Sequence, residues 1–336
     1  MENKLNKLWE KGCALLGSRY AILGGAMTWV SEPGLVSAIS NAGGFGVLAC
    51  GSMPPAVLAE QIRNTRLLTK KPFGVNLILL HPQIEELLQA CIEEKVSHVV
   101  LAGGFPAARF LELMKTAGIK AIAFAPSLIM AKKLIRMGID GLIIEGMEAG
   151  GHIGPVSTTV LAQEILPHIQ EVPVFVAGGI GRGEAIISYL EMGASGCQLG
   201  TRFVCATECK AHPNFKQAFL RANARDAVTS VQLDERFPVI PVRGLANKGT
   251  EDFLKFQRDV IRRVDEEEIS LKEGQLEIEH YWAGALRRAV VDGDIERGSI
   301  MAGQSVGMVC AEQPVAEIIQ ELIDQAVLSL EKKRAS

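Results

Sequence analysis

The densest chemical signal in the chain is Glu145-Gly146-Met147-Glu148-Ala149-Gly150-Gly151-His152-Ile153-Gly154, four glycines in ten residues around one histidine. Glycine lets main chain come close to a flat ligand, and an imidazole titrating near neutrality can donate, accept or polarise. Glu145, Gly150 and Gly151 are therefore candidate ligand contacts, and His152 is the candidate acid-base residue. The plainer reading of a lone loop histidine, a hydrogen-bonded structural group, stands beside this one. Two further turns, Ala177-Gly178-Gly179-Ile180 and Leu199-Gly200-Thr201-Arg202, can present backbone N–H groups to phosphate oxygens, with the Thr201 hydroxyl as another donor. Either turn alone is explained by tight chain reversal; as a pair they point to a phosphorylated ligand. Gly74-Val75-Asn76 is a fourth turn of the same kind. Cys205, Cys209 and His212 can be drawn as a metal cluster, but no fourth ligand follows at a zinc spacing, so no metal is expected.

Each of these turns falls where a strand is expected to end. Short apolar or β-branched runs, followed by a turn and a helical pattern, start near Tyr20, Phe45, Phe73, His98, Lys120, Gly141, Val174 and Gly196. Helices are expected over 33–41, 54–65, 82–94, 107–117, 128–137, 160–168 and 183–192, with Gly43, Gly118, Gly138 and Gly193 at the C-caps of four of them. Continuous apolar strands such as Val99–Ala102 suit parallel strands buried on both faces. Eight such units predict an α/β fold, a (β/α)8 barrel of the TIM type, over residues 1–209; a doubly wound open sheet is the alternative that counting leaves open. In a barrel, ligands sit at the carboxyl ends of strands, where all four turns lie.

Past Gly200 the rhythm fails. Residues 210–296 are expected to form an inserted helical lid, with a turn-prone middle at 237–249 and a polar helix from Glu251 to about Glu268. The charges at 265–268 then read as a solvated helix face. Residues 297–336 would return to the barrel, ending in an amphipathic helix over 314–333. A net charge of −3 offers no basic stripe for nucleic acid or an anionic membrane, so small molecules are the expected partners. No apolar stretch is long enough to span a bilayer, and Met1–Leu16 lacks a secretory pattern, so a cytoplasmic protein is expected. Seven scattered cysteines, with no C-x-x-C pair, read as reduced.

Taken in order, EGMEAGGHIG at 145–154, AGGI at 177–180, LGTRF at 199–203 and GSIMAGQ at 298–304 resemble the FMN-dependent enoyl-acyl-carrier-protein reductases and the nitronate monooxygenases, often labelled 2-nitropropane dioxygenase-like. The resemblance runs from about Tyr20 to Leu330 and implies a (β/α)8 barrel with a smaller helical lid. It implies FMN as cofactor, with Gly25, Ala26, Met27 and Asn76 beside the isoalloxazine, and Gly178, Gly179, Gly200 and Thr201 around the phosphate. His152 would stand at the reactive ring face, and Gln304 would reach the flavin from the carboxyl-terminal segment. Where the reductases carry a Gln-Gly-Gly-Met turn, this chain has Gly24-Gly25-Ala26-Met27. The segment 238–255 would line the substrate entrance. The implied reaction is reduction of a trans-2-enoyl thioester, on a small-molecule or acyl-carrier-linked substrate, with electrons from NADH or NADPH. The relatives' alternative is oxidation of nitronates or nitroalkanes by oxygen. A non-redox barrel that binds a phosphorylated metabolite remains a third reading. The oligomeric state is open, a homodimer included.

Overall fold

A computed structural model describes every residue except Met1, Ser52, Pro238, Ile240, Ala283 and Ser336. Its strands in chain order are β1 (Ile22–Gly24), β2 (Phe45–Ala49), β3 (Gly74–Ile78), β4 (His98–Ala102), β5 (Lys120–Phe124), β6 (Gly141–Glu145), β7 (Gly151–His152), β8 (Val174–Ala177), β9 (Gly196–Leu199), β10 (Ala227–Thr229) and β11 (Val242–Leu245). Strands β1 to β6, β8 and β9 close into a barrel in which every pair is parallel, and β1 meets β9. Closure removes the open-sheet alternative and confirms the (β/α)8 expectation. The seven expected inter-strand helices are present at Pro33–Asn41, Pro55–Leu68, Ile84–Glu93, Ala108–Thr116, Leu128–Arg136, Thr158–Ile165 and Gly183–Glu191.

Glycines packed beneath the helices show which strand faces look inward. A Cβ on Gly46 would lie 2.2 Å from the Val36 carbonyl oxygen, and one on Gly24 would lie 2.4 Å from Ile39. Both therefore face the outer helix Pro33–Asn41, so their neighbours Leu23, Phe45, Val47 and Ala49 face the axis. The registers carry this assignment round the barrel: Ala49 pairs with Asn76, Leu23 with Gln198, Gln198 with Ala177, and Ala177 with Glu145. Asn76, Glu145 and Gln198 consequently point inward near the carboxyl ends of their strands.

The other end is plugged. The helices Glu2–Leu8 and Glu10–Leu16 bury Leu5, Trp9 and Leu16 beneath the barrel. His98 Nε2 donates to the Leu15 carbonyl at 2.8 Å and Nδ1 accepts from Ser97 Oγ at 2.9 Å, while its ring meets Phe45 edge-on at 4.8 Å over the space left by Gly74. This end is packed for stability, leaving the opposite mouth for ligands.

Residues 210–296 hold the helices Pro213–Arg221, which buries Phe215 and Phe219 in the barrel's core, Lys248–Asp265, Leu271–Tyr281 and Ala285–Val290, and also two strands, β10 and β11. These strands join β7 in an antiparallel sheet of order β10-β11-β7. The helix expected over 251–268 starts earlier, at Lys248, because Asn247 and Thr250 form a capping box, and ends at Asp265 because Glu267 is left-handed (φ 58°). The acidic run at 265–268 is thus a helix terminus and turn rather than a helix face. Phe237, Phe253, Val260 and Ile278 form a small core separate from that of the barrel. The carboxyl-terminal helix Val315–Ala335 packs against Gly183–Glu191, where a Cβ on Gly183 would lie 2.1 Å from the Leu322 carbonyl oxygen. Among the described residues no helix is long and apolar enough to cross a membrane.

Candidate active site

The floor of the mouth is a polar layer on apolar strands. Asn76 is buried, and its Nδ2 donates to the Val100 carbonyl at 3.0 Å, which fixes the amide. Gln198 is buried to 8% exposure against Gly25, and among the described residues neither its amide nor the Glu145 carboxyl has a hydrogen-bond partner. Glu145 keeps some contact with solvent through the mouth, but protein encloses it on its other sides and removes hydration, raising its pKa to about 8. A carboxyl held largely neutral at pH 7 can donate as well as accept, which suits a ligand carrying both carbonyls and hydroxyls.

This shift has a stability consequence in the ligand-free protein. The folded pKa lies above the ordinary 4.5, so Glu145 contributes stability that is complete below that value and is lost as pH rises through about 8. Melting temperatures of ligand-free protein should fall between pH 5 and 8, and Glu145→Gln should flatten that fall. An unchanged slope in the variant would show that the carboxyl titrates normally.

Above the floor, the loops after β8 and β9 form a cup. Gly178 and Gly179 are left-handed, at φ 98° and 71°. A Cβ on Gly178 would lie 2.9 Å from Thr158 Oγ1, and one on Gly179 3.0 Å from Glu148 Cβ, so these turns require glycine for their own packing as well. Among the described residues the backbone N–H groups of Gly178, Gly179, Gly200 and Thr201 donate to no protein acceptor. Four unpartnered donors on adjacent loops are an anion cradle. Thr201 Oγ1 accepts from the Gly303 N–H at 3.0 Å, which leaves its own proton free to point into the cup.

The sequence motifs meet at this cup. The segment 301–304 crosses the mouth: the Gln304 N–H donates to the Glu148 carbonyl at 2.9 Å, and a Cβ on Gly150 would lie 2.5 Å from the Gly303 nitrogen. The Gln304 side chain itself is half-buried and, among the described residues, without a partner. From the first loop, the Gly25 N–H donates to the Leu199 carbonyl, Ser31 Oγ takes the Met27 N–H and gives to the Gly25 carbonyl, and Met27 Sδ lies 3.3 Å from the Cβ position of Gly200. Ala26 is half-buried in the same turn. Trp29 is left-handed (φ 68°), backbone strain beside a ligand mouth, and the Arg287 guanidinium of the 285–290 helix stacks over its ring at 6.0 Å.

His152 follows Gly151, whose Cβ position lies 3.5 Å from the sulfur of Met301 in the segment that crosses the mouth. The histidine is exposed, its ring makes no hydrogen bond among the described residues, and the surrounding protein removes enough hydration to hold its pKa below the ordinary 6.5. The imidazole is neutral at pH 7 and free for a ligand. Its backbone is not loop but strand: His152 pairs with Val242 and Gly151 with Arg243. Cys205 and Cys209 are buried, and His212 Nδ1 accepts from the Asn214 N–H.

Three residues of this site escaped the sequence reading. Gln198 is a lone amide within the strand Gly196–Leu199, a signal that was available. Met301 lies inside the GSIMAGQ motif and sets its sulfur 3.5 Å from the Cβ position of Gly151. Thr158 plugs the space between the loops after β6 and β8, donating its N–H and Oγ1 to Glu148 Oε2 at 2.9 and 2.8 Å, and nothing local announces it.

The sequence profile of the nitronate monooxygenase family matches residues 11–93 and 83–325. A solved structure of FabK from Thermotoga maritima is 37% identical and superposes with a TM-score of 0.85, covering 96% of this chain and 97% of that one. Among curated proteins, an octahydro-1H-indene-4-carboxyl-CoA dehydrogenase of Rhodococcus jostii is 34% identical over 220 residues, 66% of this chain and 62% of that protein's length. A nitronate monooxygenase of Paraburkholderia phytofirmans is 28% identical, covering 95% of this chain and 96% of the relative.

Proposed function

We propose, from the premise that the chain belongs to the nitronate monooxygenase family and is a flavin-dependent oxidoreductase, that it binds FMN and reduces a trans-2-enoyl thioester with electrons from NADH or NADPH, as a cytoplasmic enzyme. Family membership removes the non-redox reading. The observation that supports FMN is the cradle of four unpartnered N–H groups, which fits one terminal phosphate. Gly178, Gly179, Gly200 and Thr201 would hold that phosphate, while Asn76, Glu145, Gln198 and Gln304 would meet the polar edges of the ribityl chain and ring, with Gly25, Ala26 and Met27 alongside. Gly150 and Gly151 keep the loop after β6 free of side chains where the ring would lie.

Bound FMN supplies a two-electron relay from nicotinamide to the β-carbon of an enoyl acceptor. The protein's share is binding, orientation and polarisation. A neutral His152 polarises the thioester carbonyl through an N–H donor without the repulsion an imidazolium would exert on a cationic nicotinamide. The Rhodococcus relative is named for a coenzyme A ester, which agrees with a thioester-bearing substrate here. The same neutral imidazole is equally suited to accept the α-proton of a nitroalkane, and this favours oxidation of nitronates as the second reading.

Heat-released cofactor should run as FMN on chromatography; recovery of FAD would defeat the single-phosphate cup. Anaerobic reduction by each nicotinamide, followed by reoxidation with crotonyl thioester or with air plus a nitronate, separates the two reactions. Residues 210–296 act as a lid in this proposal, with their own small core and with 297–336 as the return segment. Cleavage near 237–249 in limited proteolysis should slow when a substrate analogue binds, and equal cleavage would remove the lid.

A further inference from the structure

The loop that carries His152 is gripped by one residue of the lid sheet. Arg243 on β11 is 4% exposed, and its backbone pairs with Gly151, next to the histidine. Its side chain passes beneath the same loop: Nε donates to the Met147 carbonyl at 2.8 Å and Nη1 to the Ala227 carbonyl on β10 at 2.5 Å. The Ile153 N–H donates to the Pro241 carbonyl at 3.0 Å, and Gly244 bridges to Met301. The lid strand thus holds both ends of the stretch 147–153, and Arg243 is what reaches the near end among the described residues. The Glu148 carboxylate favours the guanidinium's charge from beyond ion-pair distance, with one of its oxygens already taken by Thr158.

We propose that Arg243 is a positioning residue for His152, transmitting the seating of the lid strand to the imidazole by holding the Met147 carbonyl and the β7–β11 ladder together. This rests on the functional reading above, in which His152 acts on the acceptor. A lysine cannot replace it fully, because one ammonium on a flexible stem lacks the fixed fork that spans two carbonyls on different segments. Arg243 need not touch substrate or cofactor; misplacing the imidazole by a fraction of a hydrogen-bond length is enough to slow the reaction.

The test is a double-mutant cycle on FMN-loaded protein, with Arg243→Ala, Arg243→Lys, His152→Ala and the pairs, read in two half-reactions: flavin reduction by nicotinamide, and reoxidation by crotonyl thioester or nitronate. Arg243→Ala should keep its FMN, leave reduction by nicotinamide within a few-fold of the parent, and slow reoxidation roughly ten- to hundred-fold, the scale of a misplaced catalytic group. Arg243→Lys should fall in between, and added guanidinium should restore part of the Arg243→Ala rate. In the His152→Ala background the Arg243 substitutions should change reoxidation by less than about two-fold, because the group they position is gone. Equal slowing in both backgrounds, or a parent-like rate in Arg243→Ala with a slow His152→Ala, overturns the positioning role. A fast His152→Ala overturns the functional reading itself, and the proposal with it.

Discussion

Replacing His152 with alanine should give a protein that keeps FMN, accepts electrons from nicotinamide nearly as fast as the parent, and passes them to its acceptor about a hundred to ten thousand times more slowly, the range for a lost acid-base group. The imidazole carries this expectation because it is neutral at pH 7, makes no hydrogen bond among the described residues, and adjoins the segment over the mouth through Gly151. A purely structural histidine would show itself by a hydrogen bond to protein and a loss of melting temperature on replacement, and the ring has no such bond. With its folded pKa below the ordinary 6.5, activity that needs the neutral ring should be level through neutral pH and decline only on acidification below that ordinary value. Acceptor turnover within a few-fold of the parent in FMN-replete His152→Ala would make the residue structural.

Gly179→Val should abolish FMN binding. Its Cβ would lie 3.0 Å from Glu148 Cβ in a backbone at φ 71°, and relief of that clash must move the loop whose N–H groups line the cup. Strain alone is controlled by Gly118→Val: Gly118 sits at a nearly identical φ of 72°, with nothing within 4 Å of its Cβ position. Both variants carry the left-handed penalty of roughly 1–2 kcal/mol, so both should melt lower, but only Gly179→Val should lose the yellow chromophore. Thr201→Val, which removes the hydroxyl beside the cup and leaves the Gly303 N–H without its acceptor, should weaken retention by a smaller factor. Full occupancy in Gly179→Val would move the phosphate elsewhere.

The barrel was legible because its strands are buried on both faces and read as continuous apolar runs at a regular spacing, which local composition records. The glycine turns were legible for the same reason: each ends such a run. Gly178 and Gly179 prove to have packing reasons for being glycine, so residue type alone could not separate a tight turn from an anion cradle; the unpartnered N–H groups do. The sheet that holds His152 could not be read. β7 is two residues long and has no period, and its partners lie on β11, some ninety residues on, which only tertiary structure brings together. Arg243 looked like a loop charge for that reason, although it is buried. The helix ends shifted where side-chain caps decide them, at Asn247, and where a left-handed non-glycine residue, Glu267, stops the chain without a sequence marker.

The plug beneath the barrel dictates an order of assembly. Residues 2–16 dock on strand ends made much later: a Cβ on Gly12 would lie 2.0 Å from the Ser195 carbonyl oxygen, and β1 completes its pairing only with β9. These two helices therefore have no finished partner until about residue 199 has emerged from the ribosome, and their apolar faces around Leu5, Trp9 and Leu16 stay uncovered meanwhile. Such long-range closure makes for slow folding and a window open to aggregation during synthesis. The last seal is later still, because the helix Val315–Ala335 must lie across Gly183–Glu191. The outer face of Gly183–Glu191 thus stays uncovered until the helix Val315–Ala335 has been made, after the β1–β9 seam can already close.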